Sequence, residues 1–508
     1  MRLAKTKNAV RNIFFGAVFK IITLLGPFII RTMILWIMGS EYIGLNSLFT
    51  SILSFLSLAE LGVGSALVYS MYKPIAEDDQ DMICALLNLY RKMYRIIGMI
   101  ILGVGLLLLP FLNKLVKGEA PADVNLYILY LIYLFNTVIS YVMFAYKQSL
   151  LTAFQRSDII SKRSAVIQLL MYIFQIGALY IFRNYYWYII WLPVFTIVTN
   201  LANAIIVDKM FPQYKCRGKV SKEQSQQILK KILALFGTKA NSIVMHAADS
   251  IVISAFLGLV IVGQYGNYYY IMSALIGIMT IVYESLTAGL GNSLETDTSD
   301  VIYNRFQIIT LLNAWLSTFC SVCLLCMFQP FIEIWVKHEN LLALSTVVLL
   351  VVYFYVYQVR RVILLYKDAA GVWWEDRFRP YVMIVVNVVS NLILVQFIGL
   401  NGVVISTILS MLISVPWENY TVFKYVFKRS SGRYYFFILA ESILCGLLCA
   451  VMWFICRNIP VNIVGLVIRL VFCCFVPNVL FILVHLRSKP FLDSIKFIGS
   501  KIKHKNQA

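Results

Sequence analysis

The chain has 508 residues, 60% of them apolar and only 13% charged, and its 44 lysines and arginines against 24 acidic residues give a net charge of +20. Soluble domains average roughly 45 to 50% apolar and 25% charged residues, so this composition excludes a string of soluble domains. No long hydrophilic stretch leaves room for a separate catalytic domain.

A membrane-spanning helix needs about 20 predominantly apolar residues, because its backbone groups must be satisfied within the segment. On that template the sequence predicts an all-α polytopic membrane protein with fourteen spans. The first six fall at 12–38, 43–71, 88–112, 124–146, 164–182 and 186–207. The next six fall at 232–257, 261–290, 306–330, 341–359, 381–399 and 402–423, and the last two at 435–456 and 461–486. The first apolar segment is long and lacks a small-residue cleavage site, so it is expected to stay as an anchor rather than leave as a signal peptide.

Lysine and arginine alternate between dense and sparse along the predicted loops. Assigning the dense loops to the cytoplasm gives one orientation, with 32 basic residues inside and five outside, and puts both termini inside. The surplus of positive charge is therefore mainly a topology signal. The basic linker and tail match anionic lipid headgroups, and nothing in them interleaves aromatics as a nucleic-acid surface would.

Shifting the chain by 219 residues superposes Arg11 on Lys230, Lys20 on Lys239, Thr23 on Ser242, Gly39 on Gly258 and Gly44 on Gly263. Six spans per half place both repeats in the same orientation, the parallel-repeat plan of some transporters, with a binding site near the midplane between them. The expected organisation is an N-lobe at 1–207, a basic cytoplasmic linker at 208–231, a C-lobe at 232–430, two extra helices at 431–487 and a basic tail at 488–508.

Polar residues inside spans are costly and so mark function or internal pairing. In the first span Asn12, Gly16, Lys20, Thr23, Pro27 and Arg31 share one helical face, and in the seventh Lys239, Ser242, His246 and Asp249 do. The second span carries Ser47, Thr50, Ser54, Ser57, Glu60 and Gly64, and the eighth Ser273, Gly277, Thr280, Glu284 and Thr287. The small residues serve equally well as helix-packing contacts.

Lys20, Arg31 and Lys239 form a cationic stripe suited to an anionic solute such as a pyrophosphate, the alternative being pairing with Glu60, Asp249 or Glu284. Those three acids and His246 are candidates for H+ or Na+ coupling, with a purely structural role as the competing reading. Arg469, in the last span, suits either a lipid phosphate or a neighbouring acid such as Glu441. Cys320, Cys323 and Cys326 follow helical spacing without accompanying histidines, so the expectation is small apolar packing groups and no metal site. No Walker-type loop, zinc-protease motif or nucleophile elbow occurs, so the expectation is a transporter without ATPase or other catalytic residues and without a cofactor.

Three stretches resemble the Wzx-type flippases of O-antigen and capsular repeat units. They are MGSEYIGLNSLFTSILSFLSLAELGVGSALVYSMYKPIAEDD from Met38, DSIVISAFLGLVIVGQYGNYY from Asp249, and DAAGVWWEDRFRPYVMIVVNVVSNLILVQFIGLNGVVISTILSML from Asp368. The resemblance implies the MOP exporter fold, two pseudo-symmetric six-helix lobes plus two C-terminal helices, shared with MATE drug exporters and peptidoglycan-precursor flippases. It implies a substrate built of oligosaccharide on undecaprenyl pyrophosphate, alternating access, the bacterial inner membrane, membrane lipids as surroundings, and a polysaccharide polymerase with chain-length machinery as partners. It implies a cationic lumen that Lys20, Arg31 and Lys239 would supply, and it puts Asp376 and Arg377 at a cytoplasmic gate. A small-molecule exporter on the same fold and a membrane-embedded polymerase or ligase are the competing functions.

Overall fold

The computed structural model describes residues 5–118 and 120–493. Several side chains inside helices, Lys20 among them, and most of the basic tail lie outside the described residues. Every regular element described is helical.

Apart from four short 3-10 or π segments, in chain order these are α1 (Lys5–Ile37), α2 (Ser40–Leu56), a 3-10 turn (Ser57–Glu60), α3 (Val63–Ala76), α4 (Gln80–Leu108), α5 (Leu126–Val142), α6 (Gln148–Ala153), α7 (Ser157–Phe182), α8 (Tyr185–Ile189) and α9 (Trp191–Met210). They continue as α10 (Lys222–Leu257), α11 (Leu259–Thr296), α12 (Ser299–Val336), α13 (Leu344–Ala370), α14 (Arg379–Val422), α15 (Gly432–Cys456) and α16 (Ile463–His485).

Helix starts follow capping chemistry, in which a side-chain oxygen accepts from an amide that has no intrahelical partner. The Asp79 carboxylate accepts from Met82 N–H at 2.9 Å, opening α4. Asn125 opens α5, accepting from the N–H groups of Tyr127 and Ile128, and Asn462 opens α16, accepting from Gly465 N–H at 2.7 Å. Ser221 and Gln224 form a capping box at the start of α10. Large apolar side chains face outward along the helices, for example Phe397 at 79% exposure and Phe436 at 76%. An outward apolar surface of this kind is the signature of a lipid-facing chain.

Among the described residues, eleven helices are long and apolar enough to cross a membrane, or up to 12 if Leu126–Val142 and Ala145–Ala153, bent by 45°, make one broken span. The predicted fourteen are not matched one for one. The spans expected at 381–399 and 402–423 run together as α14, whose backbone leaves helical geometry at Ile398 and Gly399. The described apolar part of α1, Ile22–Ile37, is shorter than a full span. Helices also outrun their apolar windows. Arg360 and Lys367, expected in a cytoplasmic loop, belong to the last turns of α13, which ends only where Gly371 takes φ +67°.

The chain divides into two compact units, Met1–Gly263 and Gln264–Ala508. In the first, α1 packs on α7, α5 on α4 and α9, and α10 on α2 and α3. Its core centres on Leu45, Leu48 and Phe49 of α2 with Leu129 and Tyr130 of α5. In the second, α12 packs on α13, α15 and α16, while α13 also packs on α14.

The expected repeat has a geometric counterpart within the first unit. Gly39, just before α2, and Gly258, just before α11, take φ of +112° and +94°, a region that L side chains rarely adopt. A Cβ on Gly44 would lie 2.2 Å from the Leu259 carbonyl oxygen, and one on Gly263 would lie 2.2 Å from that of Ser40. The shift of 219 maps Ser40 onto Leu259 and Gly44 onto Gly263. Each helix start therefore presses its glycine onto the backbone of its repeat mate, the reciprocal contact that a two-fold relation produces.

Candidate functional site

The α2–α3 segment sits where a single continuous span was expected, and its break creates the site. The helix tightens to a 3-10 turn at Ser57–Glu60 and restarts after Gly62, whose φ is +88°. Irregular backbone at membrane depth is tolerated where it lines a cavity or is buried in protein. Here the turn delivers the Glu60 carboxylate to a cavity of about 690 Å³.

The cavity wall is rich in tyrosine, with Tyr69 and Tyr72 on α3, Tyr90 and Tyr94 on α4, and Tyr141 on α5. Tyr94 Oη donates to Glu60 Oε1 at 3.0 Å, and Tyr90 Oη donates to Tyr94 Oη at 3.0 Å. The rings of Tyr90 and Tyr94 meet edge-on at 4.5 Å, and those of Tyr94 and Tyr141 at 5.5 Å. Gly64 leaves room for these groups, since a Cβ there would fall 2.8 Å from Tyr90 Oη and 3.1 Å from Glu60 Oε1.

Lys239 reaches the same wall. Its Nζ donates at 2.9 Å to Ser65 Oγ, and Ser65 lines the cavity beside Glu60 and Gly64. The structure thus brings Lys239, predicted on a different span from Glu60, to within one hydrogen bond of the wall that holds Glu60. Lys239 bonds a hydroxyl here rather than an acid.

The remaining predicted residues disperse. Arg31 donates to the Gly263 carbonyl at 3.3 Å, near the reciprocal glycine contact. It is eleven residues beyond Lys20 on α1, about 16 Å along the helix axis at 1.5 Å per residue. The side chain of Lys20 lies outside the described residues. On α10, Asp249 is 3% exposed, while His246 three residues earlier is accessible. Glu284 is exposed on α11. Arg469 is buried and donates to the carbonyls of Ile459 and Pro460, whereas Glu441 pairs with His485 at 2.8 Å.

Asp376 and Arg377 part company. Arg377 is exposed, with its guanidinium 4.1 Å from the Trp374 ring centroid and 4.6 Å from that of Phe378. Asp376 is 2% exposed and joins an ion network that the sequence reading missed. It meets Lys367 Nζ at 2.6 Å and Arg379 Nε at 2.8 Å. Arg379 also meets Glu418 at 2.7 Å, and Glu418 accepts from Arg360 Nε at 3.1 Å and from Ser414 Oγ at 3.1 Å. Three buried cations face two buried acids, leaving one positive charge unmatched within the network. The signal available beforehand was the density of charge at 360–379, which the helix boundary misassigned to solvent.

Arg360 also borders an apolar groove of about 660 Å³ within the second unit. Val348, Val352 and Val356 of α13 form one wall, and Ile438 and Trp453 of α15 the other, with Asn419 and Tyr434 near Arg360.

The sequence matches the family described as polysaccharide biosynthesis protein over residues 9–286. No curated protein matches it. Among solved structures, the lipid II flippase MurJ in an inward closed conformation aligns with a TM-score of 0.66 and 15% identity, covering 93% of this chain and 99% of that one. An inward-facing multidrug resistance transporter of the MATE family aligns at 0.59 and 14% identity, covering 77% and 92%. A MOP-superfamily transporter from Pyrococcus furiosus aligns at 0.51 and 14%, covering 84% and 97%. At these identities the structural likeness fixes the fold, and the family match fixes membership: the chain is a multi-pass membrane protein of the polysaccharide biosynthesis protein family, with the fold of MOP-superfamily flippases and transporters.

Proposed function

We propose that the protein carries oligosaccharide repeat units on undecaprenyl pyrophosphate from the cytoplasmic to the outer leaflet of the bacterial inner membrane, for O-antigen, capsule or exopolysaccharide assembly. The observation that carries this reading is Lys239 at the wall of a tyrosine-rich cavity. An ammonium group is a charge-assisted donor for pyrophosphate oxygens, and tyrosine faces and hydroxyls suit the mixed apolar and polar surfaces of sugars. The groove bordered by Arg360 supports the same reading. It offers an apolar bed for a polyprenyl chain beside a network with one uncompensated positive charge.

Alternating access between two lobes would carry the load, with both termini cytoplasmic, and Glu60, His246, Asp249 and Glu284 remain the groups able to couple transport to H+ or Na+. Delivery to the outer leaflet would feed a polymerase and its chain-length machinery. Arg31 and Lys20 complete the cationic lumen in this reading, and the exposed Arg377, beside the buried Asp376 network, lies at the cytoplasmic gate, whereas the buried Arg469 is left out of substrate contact.

The test is to delete the gene in cells lacking paralogues and follow the lipid-linked repeat unit. Accumulation facing the cytoplasm, rescued by the wild type and not by Lys239→Gln, is expected. Normal surface glycan in the deletion would overturn the proposal. A second reading, an ion-coupled exporter of cationic small molecules, is favoured by Glu60 among the cavity tyrosines, since carboxylate and ring faces both attract cations. It predicts hypersensitivity to cationic drugs in the deletion and loss of resistance with Glu60→Gln.

A further inference from the structure

Ten cysteines are spread through the sequence, and helical packing gathers three of them at one point. Cys326 comes from α12, Cys456 from the end of α15 and Cys473 from α16. All three are buried, and their Sγ atoms all lie within 4.8 Å of one another. Each thiol comes from a different helix, so no local spacing could have announced the cluster. Three sulfurs bound to one zinc at about 2.3 Å stand roughly 3.8 Å apart in tetrahedral geometry. The cluster reaches that geometry by drawing in by about 1 Å or less.

We propose that Cys326, Cys456 and Cys473 bind one thiophilic divalent cation of the zinc class, pinning the C-terminal hairpin α15–α16 to α12. Charge balance selects a divalent ion over a monovalent one. Loading the site turns three thiols and one dication into a tris-thiolate complex of charge −1 and releases three protons. Arg469, buried at 3% exposure and one turn before Cys473, supplies +1 and acts electrostatically on both Cys456 and Cys473. The ensemble is then neutral, which a low-dielectric setting requires. A monovalent soft ion would leave a net charge of −1 buried. The arrangement also gives Arg469 a task that its carbonyl contacts alone do not explain. The surroundings are the apolar side chains of Val322, Leu448 and Met452, and the fourth tetrahedral position is taken by a neutral ligand such as water.

The test uses the full-length protein purified in detergent under reducing conditions. Zinc content measured by mass spectrometry is expected at about one ion per chain, and chelation followed by Co2+ should give thiolate-to-cobalt charge-transfer absorption. Cys473→Ser should abolish both signals, while Cys474→Ser, next door and exposed, should leave both intact. The wild-type cobalt spectrum decides the matter even where Cys473→Ser fails to fold. No zinc taken up from stoichiometric Zn2+ and no charge-transfer band would overturn the proposal and leave an apolar packing cluster. A Cys326–Cys456 disulfide found by non-reducing peptide mapping of freshly isolated membranes would overturn it equally.

Discussion

The buried network around Glu418 gives the sharpest prediction, because its two ends should respond unequally. Glu418 is 1% exposed and holds both Arg360 and Arg379. Replacing Glu418 by Gln keeps the shape but leaves Asp376 alone to balance three buried cations. Breaking a buried pair by removing one partner costs about 3 to 5 kcal/mol. Replacing Arg360 by Met instead leaves two cations against two acids, with Glu418 still held by Arg379 and Ser414. That change forfeits charge-assisted hydrogen bonds worth about 1.5 to 3 kcal/mol apiece, a loss offset by removal of the unmatched buried charge. Thermal unfolding of the purified variants, followed by tryptophan fluorescence, should therefore rank Glu418→Gln well below Arg360→Met, with the wild type highest. The double variant should recover much of the loss. Equal destabilisation by the two single changes would refute the charge-count argument. Under the proposed function, Arg360→Met should also lose glycan export while still folding and reaching the membrane, since it removes the positive charge beside the groove.

The reciprocal glycines make a paired prediction. Gly44→Ala and Gly263→Ala each force a Cβ to 2.2 Å from a carbonyl oxygen, so each should cost about 1 to 3 kcal/mol as overpacking, readable as matched drops in melting temperature. A drop at one position only would argue against the two-fold contact. In the cavity, Lys239→Gln should abolish export at unchanged membrane abundance, whereas Ser65→Ala, which removes only the hydroxyl that Lys239 contacts, should reduce it modestly; the two are compared by surface-glycan staining. Asp297, in the turn between α11 and α12, is held below the usual carboxylate range by the Ser293 hydroxyl and then by Arg305. A depressed carboxyl contributes stability above its ordinary pKa of 3.8 and loses it as pH falls through the folded value. Acid unfolding of Asp297→Asn should therefore be less steep than that of the wild type, and an unchanged profile would count against the linkage.

What the sequence determined by itself is the class of the molecule. Spanning demands a long apolar run whose hydrogen bonds close locally, so hydropathy located nearly every helix, and the positions of Gly39, Gly44, Gly258 and Gly263 exposed the repeat because positive φ and close backbone approach leave no other residue a choice. Polarity also pointed to Glu60 and Lys239, since a charge within a span has to meet something. What only the tertiary structure decided is what each one meets. The break at Ser57–Gly62 changed the phase of a stripe read as one continuous helix face and turned Glu60 toward Tyr90 and Tyr94 of another helix. Arg360, Lys367 and Asp376 read as a solvated loop because apolarity ends before the helix does, and only packing against Glu418 shows that they are buried. Cys326, Cys456 and Cys473 converge from three helices. Contacts of that kind depend on which faces turn toward each other, and a linear pattern carries the period of a helix without the identity of its neighbours.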